Sequence, residues 1–340
     1  MPLSFAIAGF RHAHIWDLVE RIQTHPNLEL VAVCEEDAAT REQVAARGIC
    51  DTVFASLEEM LDKIQCDIVG VGDSFGKRGA IILEALRRGK HVLSDKPICT
   101  SLAELEQIEK LATDSNLRVG CMLDLRDNGN FRALRQIVRA GEIGEIHAIS
   151  FGGQHPLLHR VRPDWYFEIG KHGGTLNDIA IHAFDFIPWL TGHEFSTVKC
   201  ARTWNADLPS VPHFRNAAQA MLTLDNGCGV LGDVSYFSPD SHGYALPLYW
   251  RTTLWGSRGV AETSFNAAGV TLYRNGETQA RSIPALEAAP GGYLHHFLAE
   301  LCGETLDDHL TTREVLRASR VALVAQHAAD NELCNMSIEE

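Results

Sequence analysis

Asp178, His182 and Asp185 fall at i, i+4 and i+7 within Gly173–Gly192, which reads GGTLNDIAIHAFDFIPWLTG. On a helix this spacing puts all three on one face. Leu176, Ile179, Ile181, Ala183, Phe184, Phe186 and Ile187 make the rest of the surface apolar, the signature of a buried helix. Burying a polar group without a partner costs ~2–7 kcal/mol. The stripe therefore serves a buried polar network or lines a cleft where charge is wanted. An imidazole one turn from a carboxylate suits proton transfer near neutral pH. A second candidate is Lys96, in Ser94-Asp95-Lys96-Pro97. An ammonium there can donate a hydrogen bond to a reacting oxygen and stabilise its developing charge.

The elements that must position these groups alternate in type. Phe5–Ala8, Leu28–Cys34, Asp67–Val71, His91–Leu93 and Arg118–Met122 read as strands. Helical patterns fill Ile15–Gln23, Ala38–Arg47 and Ala80–Arg88, and Ser101-x-x-Glu104 forms a capping box for a helix running to Thr113. Such alternation implies right-handed crossovers and a parallel sheet. Lys96 then follows the fourth strand, at the end of the sheet where ligands bind.

The first crossover, Gly9-Phe10-Arg11-His12-Ala13-His14, keeps only the first glycine of the G-x-G-x-x-G dinucleotide fingerprint. A helix N-terminus still favours a phosphate there, and Arg11 is a candidate charged phosphate contact. Glu35 and Glu36 follow the second strand, where an acid grips the adenosine ribose. Two adjacent acids oppose a 2′-phosphate, so NAD is preferred over NADP. His12-x-His14 lacks a third ligand at a recognisable spacing, so no metal is expected.

Gly89–Pro97, GKHVLSDKP, resembles the GKHV-x-x-EKP block of the glucose–fructose oxidoreductase, inositol dehydrogenase and MocA family. Gly173–Gly192 resembles that family's GG-x-x-x-D-x-x-x-H-x-x-D block, with its trailing Trp-Leu-x-Gly. Arg126 and Ala140–Ile146 resemble its arginine loop and a following glycine turn. The resemblance spans essentially the whole chain. It implies an α/β protein with an N-terminal Rossmann parallel sheet, then an α/β domain with a large, mainly antiparallel open sheet. It also implies a nicotinamide cofactor held by Gly9, Phe10, Arg11, His12, Glu35, Glu36, Asp73, Ser74, Asp95 and Lys96. Lys96, Asp178 and His182 map onto the family's catalytic constellation. The implied reaction moves hydride between NAD(P) and a secondary hydroxyl of a sugar, sugar acid or cyclitol. Two alternatives stay open: a lyase or glycosidase that oxidises its sugar only transiently, and a silent NAD- or sugar-binding sensor. The chain departs from the pattern at Asp95, usually glutamate, at Arg11 and His14, usually glycine, and at Asp73-Ser74.

From about residue 123 the pattern changes, giving domains 1–122 and 123–340. Asp225-Asn226-Gly227, Arg274-Asn275-Gly276 and Ser257-Arg258-Gly259 are hairpin signals. They separate β-branched or aromatic runs at Ala218–Leu224, Val230–Phe237, Leu248–Trp255 and Val270–Tyr273, and Thr312–Ala329 reads as a helix. The loop Gly152–His172 precedes the polar stripe and offers Arg160, Arg162, Trp165, Tyr166 and Lys171 as substrate contacts, alongside Arg126, Asp178 and His182. The open sheet needs a cover, and the family resemblance implies that this face makes a homodimer or homotetramer.

The formal net charge of −14 opposes nucleic acid and anionic membrane as partners. Nine cysteines without paired spacing read as reduced thiols of a cytoplasmic protein. The apolar run Leu3–Phe10 has no basic stretch before it, so a core strand is expected rather than a signal peptide.

Overall fold

The computed structural model describes residues 2–304 and 308–339. The chain forms two compact units. The first runs from the N-terminus to Met122 and takes in two later segments, Pro163–Gly173 and Tyr293–Leu316. The second comprises Leu123–Arg162, Gly174–Gly292 and the chain from Arg317 onward.

The first unit alternates β1 (Leu3–Ala8), α1 (Ile15–Thr24), β2 (Leu28–Cys34), α2 (Ala38–Ala46), β3 (Val53–Phe54), α3 (Leu57–Lys63), β4 (Ile68–Val71), α4 (Phe75–Arg87), β5 (His91–Ser94), α5 (Leu102–Asp114) and β6 (Val119–Cys121). Its described strands form one parallel sheet in the order β3-β2-β1-β4-β5-β6. Phe5–Ala8 and Ile68–Val71 are buried throughout, as strands covered on both faces must be. On α1, Ile15, Leu18, Val19 and Ile22 recur at helical spacing and are all buried.

The sheet matches the expected parallel fold, with local differences. β3 and α3 were not anticipated: a two-residue strand carries no periodicity to read. α4 begins at Phe75 rather than Ala80, because Phe75, Arg78 and Gly79 are already buried in its first turns. The expected capping box does not form. Ser101 makes no side-chain cap, while the Glu104 carboxylate accepts from the backbone N–H of Thr100.

The second unit contains α6 (Gly129–Arg139), β7 (Ile146–Pro156), α7 (Ile181–Thr191), β8 (Phe195–Trp204), β9 (Ala217–Leu224), β10 (Gly229–Ser238), β11 (Thr252–Gly256), β12 (Gly259–Thr263), β13 (Gly269–Arg274) and β14 (Arg281–Pro284). In sequence order there follow α8 (Gly292–Leu301), mostly in the first unit, then α9 (Thr312–Asp330) and β15 (Cys334–Ser337). The described strands make a nine-stranded sheet in the order β14-β13-β12-β11-β7-β10-β9-β8-β15. Only β7 and β10 pair in parallel. The three hairpin signals join β9 to β10, β11 to β12 and β13 to β14, with Gly227 and Gly276 at positive φ. β11 starts at Thr252 rather than Leu248. Among the described residues no helix is long and apolar enough to cross a membrane.

The helix carrying the polar stripe departs from the uniform α-helix expected. It opens as a π-helical turn over Leu176–Ala180 and continues as α7, ending at Gly192 in the left-handed region. Gly174, at φ +96°, lies where a Cβ would come within 2.1 Å of Gln326 on α9. The Gln326 side chain accepts from the Leu176 N–H at 3.0 Å, so close approach fixes the helix start. Phe184 packs on Phe151 of β7 and Phe195 of β8, anchoring α7 to the sheet.

Asp185 answers for one member of the stripe. Arg126 lies in a single 3-10 turn, Leu125–Asp127, and its Nε and Nη2 donate to the Asp185 carboxylate at 2.9 and 2.5 Å. Both side chains are buried. Removing one partner of a buried pair leaves an uncompensated charge. Asp185→Ala is expected to cost about 3–5 kcal/mol in denaturant unfolding, and Arg126→Met/Asp185→Leu to recover most of it. A cost below about 1 kcal/mol for the single variant would contradict this role.

Candidate active site

The phosphate-side corner of the first unit is built on one buried carboxylate. Asp95 Oδ2 accepts from Arg78 Nη2 at 2.8 Å and meets His12 Nδ1 at 2.5 Å. Its Oδ1 accepts from the Lys96 backbone N–H at 2.7 Å and meets His14 Nδ1 at 3.1 Å. Arg78 also donates through Nη1 to the carbonyls of Lys96 and Pro97 and through Nε to that of Asp73. One buried ion pair thus ties the turn after β1, the start of α4 and the lysine loop together. Burial alone would raise the Asp95 carboxyl, but Arg78, His12 and His14 hold it well below the usual carboxylate range. Burial pushes His12 down from 6.5 to about 4, against the pull of Asp95.

His12, His14 and Asp95 have the residue types of a metal site and ligand atoms within 4.8 Å of one another. Two features oppose an ion. The 2.5 Å contact between His12 and Asp95 leaves no room for a metal between them, and Arg78 already neutralises the carboxylate.

The residues expected to hold a dinucleotide lie at the carboxyl ends of β1, β2 and β4, where the sheet order reverses. Gly9 has φ +83°, and a Cβ on it would lie 2.5 Å from Asp73 Cβ, so the retained glycine is the one the turn requires. Glu35 is buried and accepts from the N–H groups of Phe10 at 2.7 Å and Asp37 at 2.9 Å. Burial raises its carboxyl, and those two bonds pull the other way. Glu36 pairs with Lys77 at 2.8 Å. Arg11, read as a phosphate contact, turns to Asp37 at 3.1 Å. Ser74 precedes α4, and its N–H donates to Asp73 Oδ1 at 2.6 Å. The close turn, the reversal of strand order and the acid ending β2 fit a dinucleotide. Lys96 is buried, with its loop fixed by Arg78 and Asp95.

The segment Pro163–Gly173, read as substrate loop, belongs to this first unit. Trp165 and Tyr166 are 1% and 2% exposed and pack against Phe75 and His12. Trp165 Nε1 donates to the Arg11 carbonyl at 3.0 Å, and the Lys171 carbonyl accepts from Gly76. Their burial makes Trp165 and Tyr166 a brace on the phosphate turn rather than an open contact surface.

In the second unit, Asp178 and His182 are both buried. The Tyr236 hydroxyl donates to Asp178 Oδ2. His182 Nδ1 lies 3.9 Å from Asp124 Oδ1, and its ring packs edge-on to Trp250 at 5.4 Å. His155 stands beside Tyr236, Tyr244, Tyr249 and Trp250. Arg162 is committed to this wall, donating to the carbonyls of Pro156 and Leu157 and to the Tyr244 hydroxyl. Arg126 is spent on Asp185, and Arg160 is exposed. Sequence reasoning missed Arg78, Asp124, His155 and Tyr236. Tyr236 had a signal: Val230, Gly232, Val234, Tyr236 and Ser238 alternate along the buried face of β10.

Two family models match the chain. An oxidoreductase family model with an NAD-binding Rossmann fold covers residues 3–122, and a GFO/IDH/MocA C-terminal domain model covers residues 131–262. The chain belongs to the GFO/IDH/MocA oxidoreductase family. A dTDP-3,4-didehydro-2,6-dideoxy-alpha-D-glucose 3-reductase of Saccharopolyspora spinosa is 28% identical over 76% of this chain and 75% of its own length. An inositol 2-dehydrogenase of Arthrobacter sp. is 29% identical over 68% of this chain and 65% of its own. The WlbA dehydrogenase of Bordetella pertussis, solved with NADH and UDP-GlcNAcA, shares the fold at a TM-score of 0.80 with 18% identity, over 99% of each chain. This GFO/IDH/MocA member is accordingly an oxidoreductase.

His12 gives the corner a pH signature. Its folded pKa lies below the unfolded value, so the unfolded chain takes the proton first. Its contribution to stability is complete above about 6.5 and is lost as pH falls towards about 4. The melting temperature should drop across that window, and His12→Asn should flatten the drop by a few degrees. Parallel pH profiles for native chain and variant would rule out this account of His12.

Proposed function

We propose that this chain transfers hydride between a nicotinamide dinucleotide, NAD in preference to NADP, and a secondary hydroxyl of a sugar, sugar acid or cyclitol. The observation that carries the reading is the buried Asp178–His182 helix, with Asp178 held by Tyr236 in an aromatic wall. Such a site suits a small polyhydroxylated molecule with one proton to manage. The relatives support the substrate class: one is named for reducing a sugar nucleotide, another for oxidising inositol.

The nicotinamide, when bound, supplies the hydride acceptor or donor. We assign the dinucleotide to Gly9, Phe10, His12, Glu35, Asp73 and Ser74 of the first unit, with Glu35 towards the adenosine ribose. The protein must remove the hydroxyl proton as the carbonyl forms. In our reading His182 takes that proton and returns it in the reverse direction. Lys96, after β5, is the group we assign to donating a hydrogen bond to a reacting oxygen and steadying its negative charge. Asp178 orients the group, and Tyr236 fixes Asp178.

We also read one sheet face as the seat of a second copy of the chain. Met221, Leu231, Trp255 and Tyr273 are exposed on it, and Leu231 pairs directly with Met221 across β10 and β9. Leu231→Glu/Trp255→Glu should lower the mass measured by light scattering; an unchanged mass would show that any oligomer uses another face.

His182→Ala is expected to lower turnover by about 10²–10⁴ while dinucleotide binding persists. The measurement is NADH absorbance across a panel of sugars and cyclitols, beside fluorescence titration with NAD. A variant of native activity would overturn the role of His182. Product formed by the native chain without NADH accumulating would point instead to transient oxidation.

A further inference from the structure

We propose that Asp37 sets the dinucleotide preference of this chain by holding the Arg11 guanidinium away from the 2′ position of the adenosine ribose. The inference rests on the cofactor reading above and concerns the corner between the phosphate turn and the end of β2.

The sequence Glu35-Glu36-Asp37 suggests that repulsion by bulk negative charge excludes a 2′-phosphate. The structure gives each acid a different partner. Glu35 points inward and accepts from Phe10 and Asp37 N–H groups. Glu36 is paired with Lys77 at 2.8 Å. Asp37 is paired with Arg11 at 3.1 Å. Arg41 Nη1 donates to the carbonyls of Glu35 and Glu36 at 2.7 and 3.0 Å. Arg11 and Lys77 thus offset two of these three acids, and Arg41 adds a third positive charge at the Glu35 and Glu36 carbonyls, so bulk repulsion is weak. Selection then depends on which cation is free to move.

Arg11 is the one placed to matter. It sits in the turn after β1, yet reaches across to the end of β2, where the 2′ position of a bound dinucleotide is read. A guanidinium matches phosphate with paired donors, which the ammonium of Lys77 does not. Arg11 and Asp37 are each partly exposed, at 28% and 39%, so the pair can be opened without unpacking the core. With Asp37 in place, Arg11 is neutralised and the ribose end favours hydroxyl groups. Without that carboxylate, Arg11 becomes a phosphate ligand.

Asp37 has a second task that the test must preserve. It is the N-cap of α2, accepting from the Thr40 N–H at 2.9 Å and the Thr40 hydroxyl at 2.7 Å. Asparagine and serine cap as well as aspartate, so Asp37→Asn and Asp37→Ser keep the helix start and remove the charge.

The experiment measures dissociation constants of NAD⁺ and NADP⁺ by tryptophan fluorescence and calorimetry on the full chain. For Asp37→Asn, and independently Asp37→Ser, affinity for NADP⁺ relative to NAD⁺ should rise about 10- to 100-fold. Adding Arg11→Ala should abolish the rise. An unchanged ratio in both single variants, or a rise that survives loss of Arg11, overturns the inference and leaves the cofactor reading intact. A native chain that binds neither dinucleotide overturns both.

Discussion

The buried Asp95 carboxylate is the constraint on which the first unit's chemistry depends. Taking a charge out of water costs several kcal/mol unless partners replace the lost solvation. Here they come from three places: Arg78 on α4, two imidazoles in the turn after β1, and the backbone N–H of Lys96. The carboxylate cannot relax without releasing all of them. The position of the lysine backbone and the shape of the phosphate turn are therefore set together. Two departures from the family pattern, histidine for glycine at position 14 and aspartate for glutamate at position 95, become one feature. A side chain one methylene shorter meets imidazole rings in the turn.

The second unit solves the same problem separately for each carboxylate of its polar stripe. Asp185 is neutralised by Arg126 on one side of α7. Asp178, in the π-helical opening, takes the Tyr236 hydroxyl. A π turn changes the angle between successive side chains, and such turns recur at functional sites. The apolar remainder of the helix, led by Phe184, holds this arrangement to the sheet. Structural and chemical groups share one helix, divided by which partner each residue meets.

Much of this was legible in the sequence because it rests on period and punctuation. Strand–helix alternation gave the parallel sheet, and three Gly-containing turns gave the hairpins. The all-round apolar surface of Gly173–Gly192 marked a buried helix, and its residues are buried. Partner choice was not legible. Nothing local in Phe75-Gly76-Lys77-Arg78 says that Arg78 turns inward to a carboxylate seventeen positions on. Arg126 carried the look of a ligand contact and is instead closed on Asp185. Trp165 and Tyr166 lie in a polar-aromatic loop, yet their burial depends on Phe75 and His12, far away in sequence. Periodicity reports which face is buried; it does not report what lies opposite.

The first unit is discontinuous, and this bears on how the protein is made. Phe297, with Tyr293 and Leu294 of α8, is part of the core formed by Phe5, Ile7, Leu18 and Ile68. A Cβ on Gly120 would lie 2.6 Å from the Phe297 ring, so β6 is shaped around that late residue. A ribosome that has released the first 122 residues has therefore delivered an unfinished apolar layer. The nascent half must wait, shielded or partly open, until α8 emerges. A gene fragment ending at Met122 encodes a module lacking its own lid of hydrophobic side chains, and exchanging that half between relatives requires moving α8 with it.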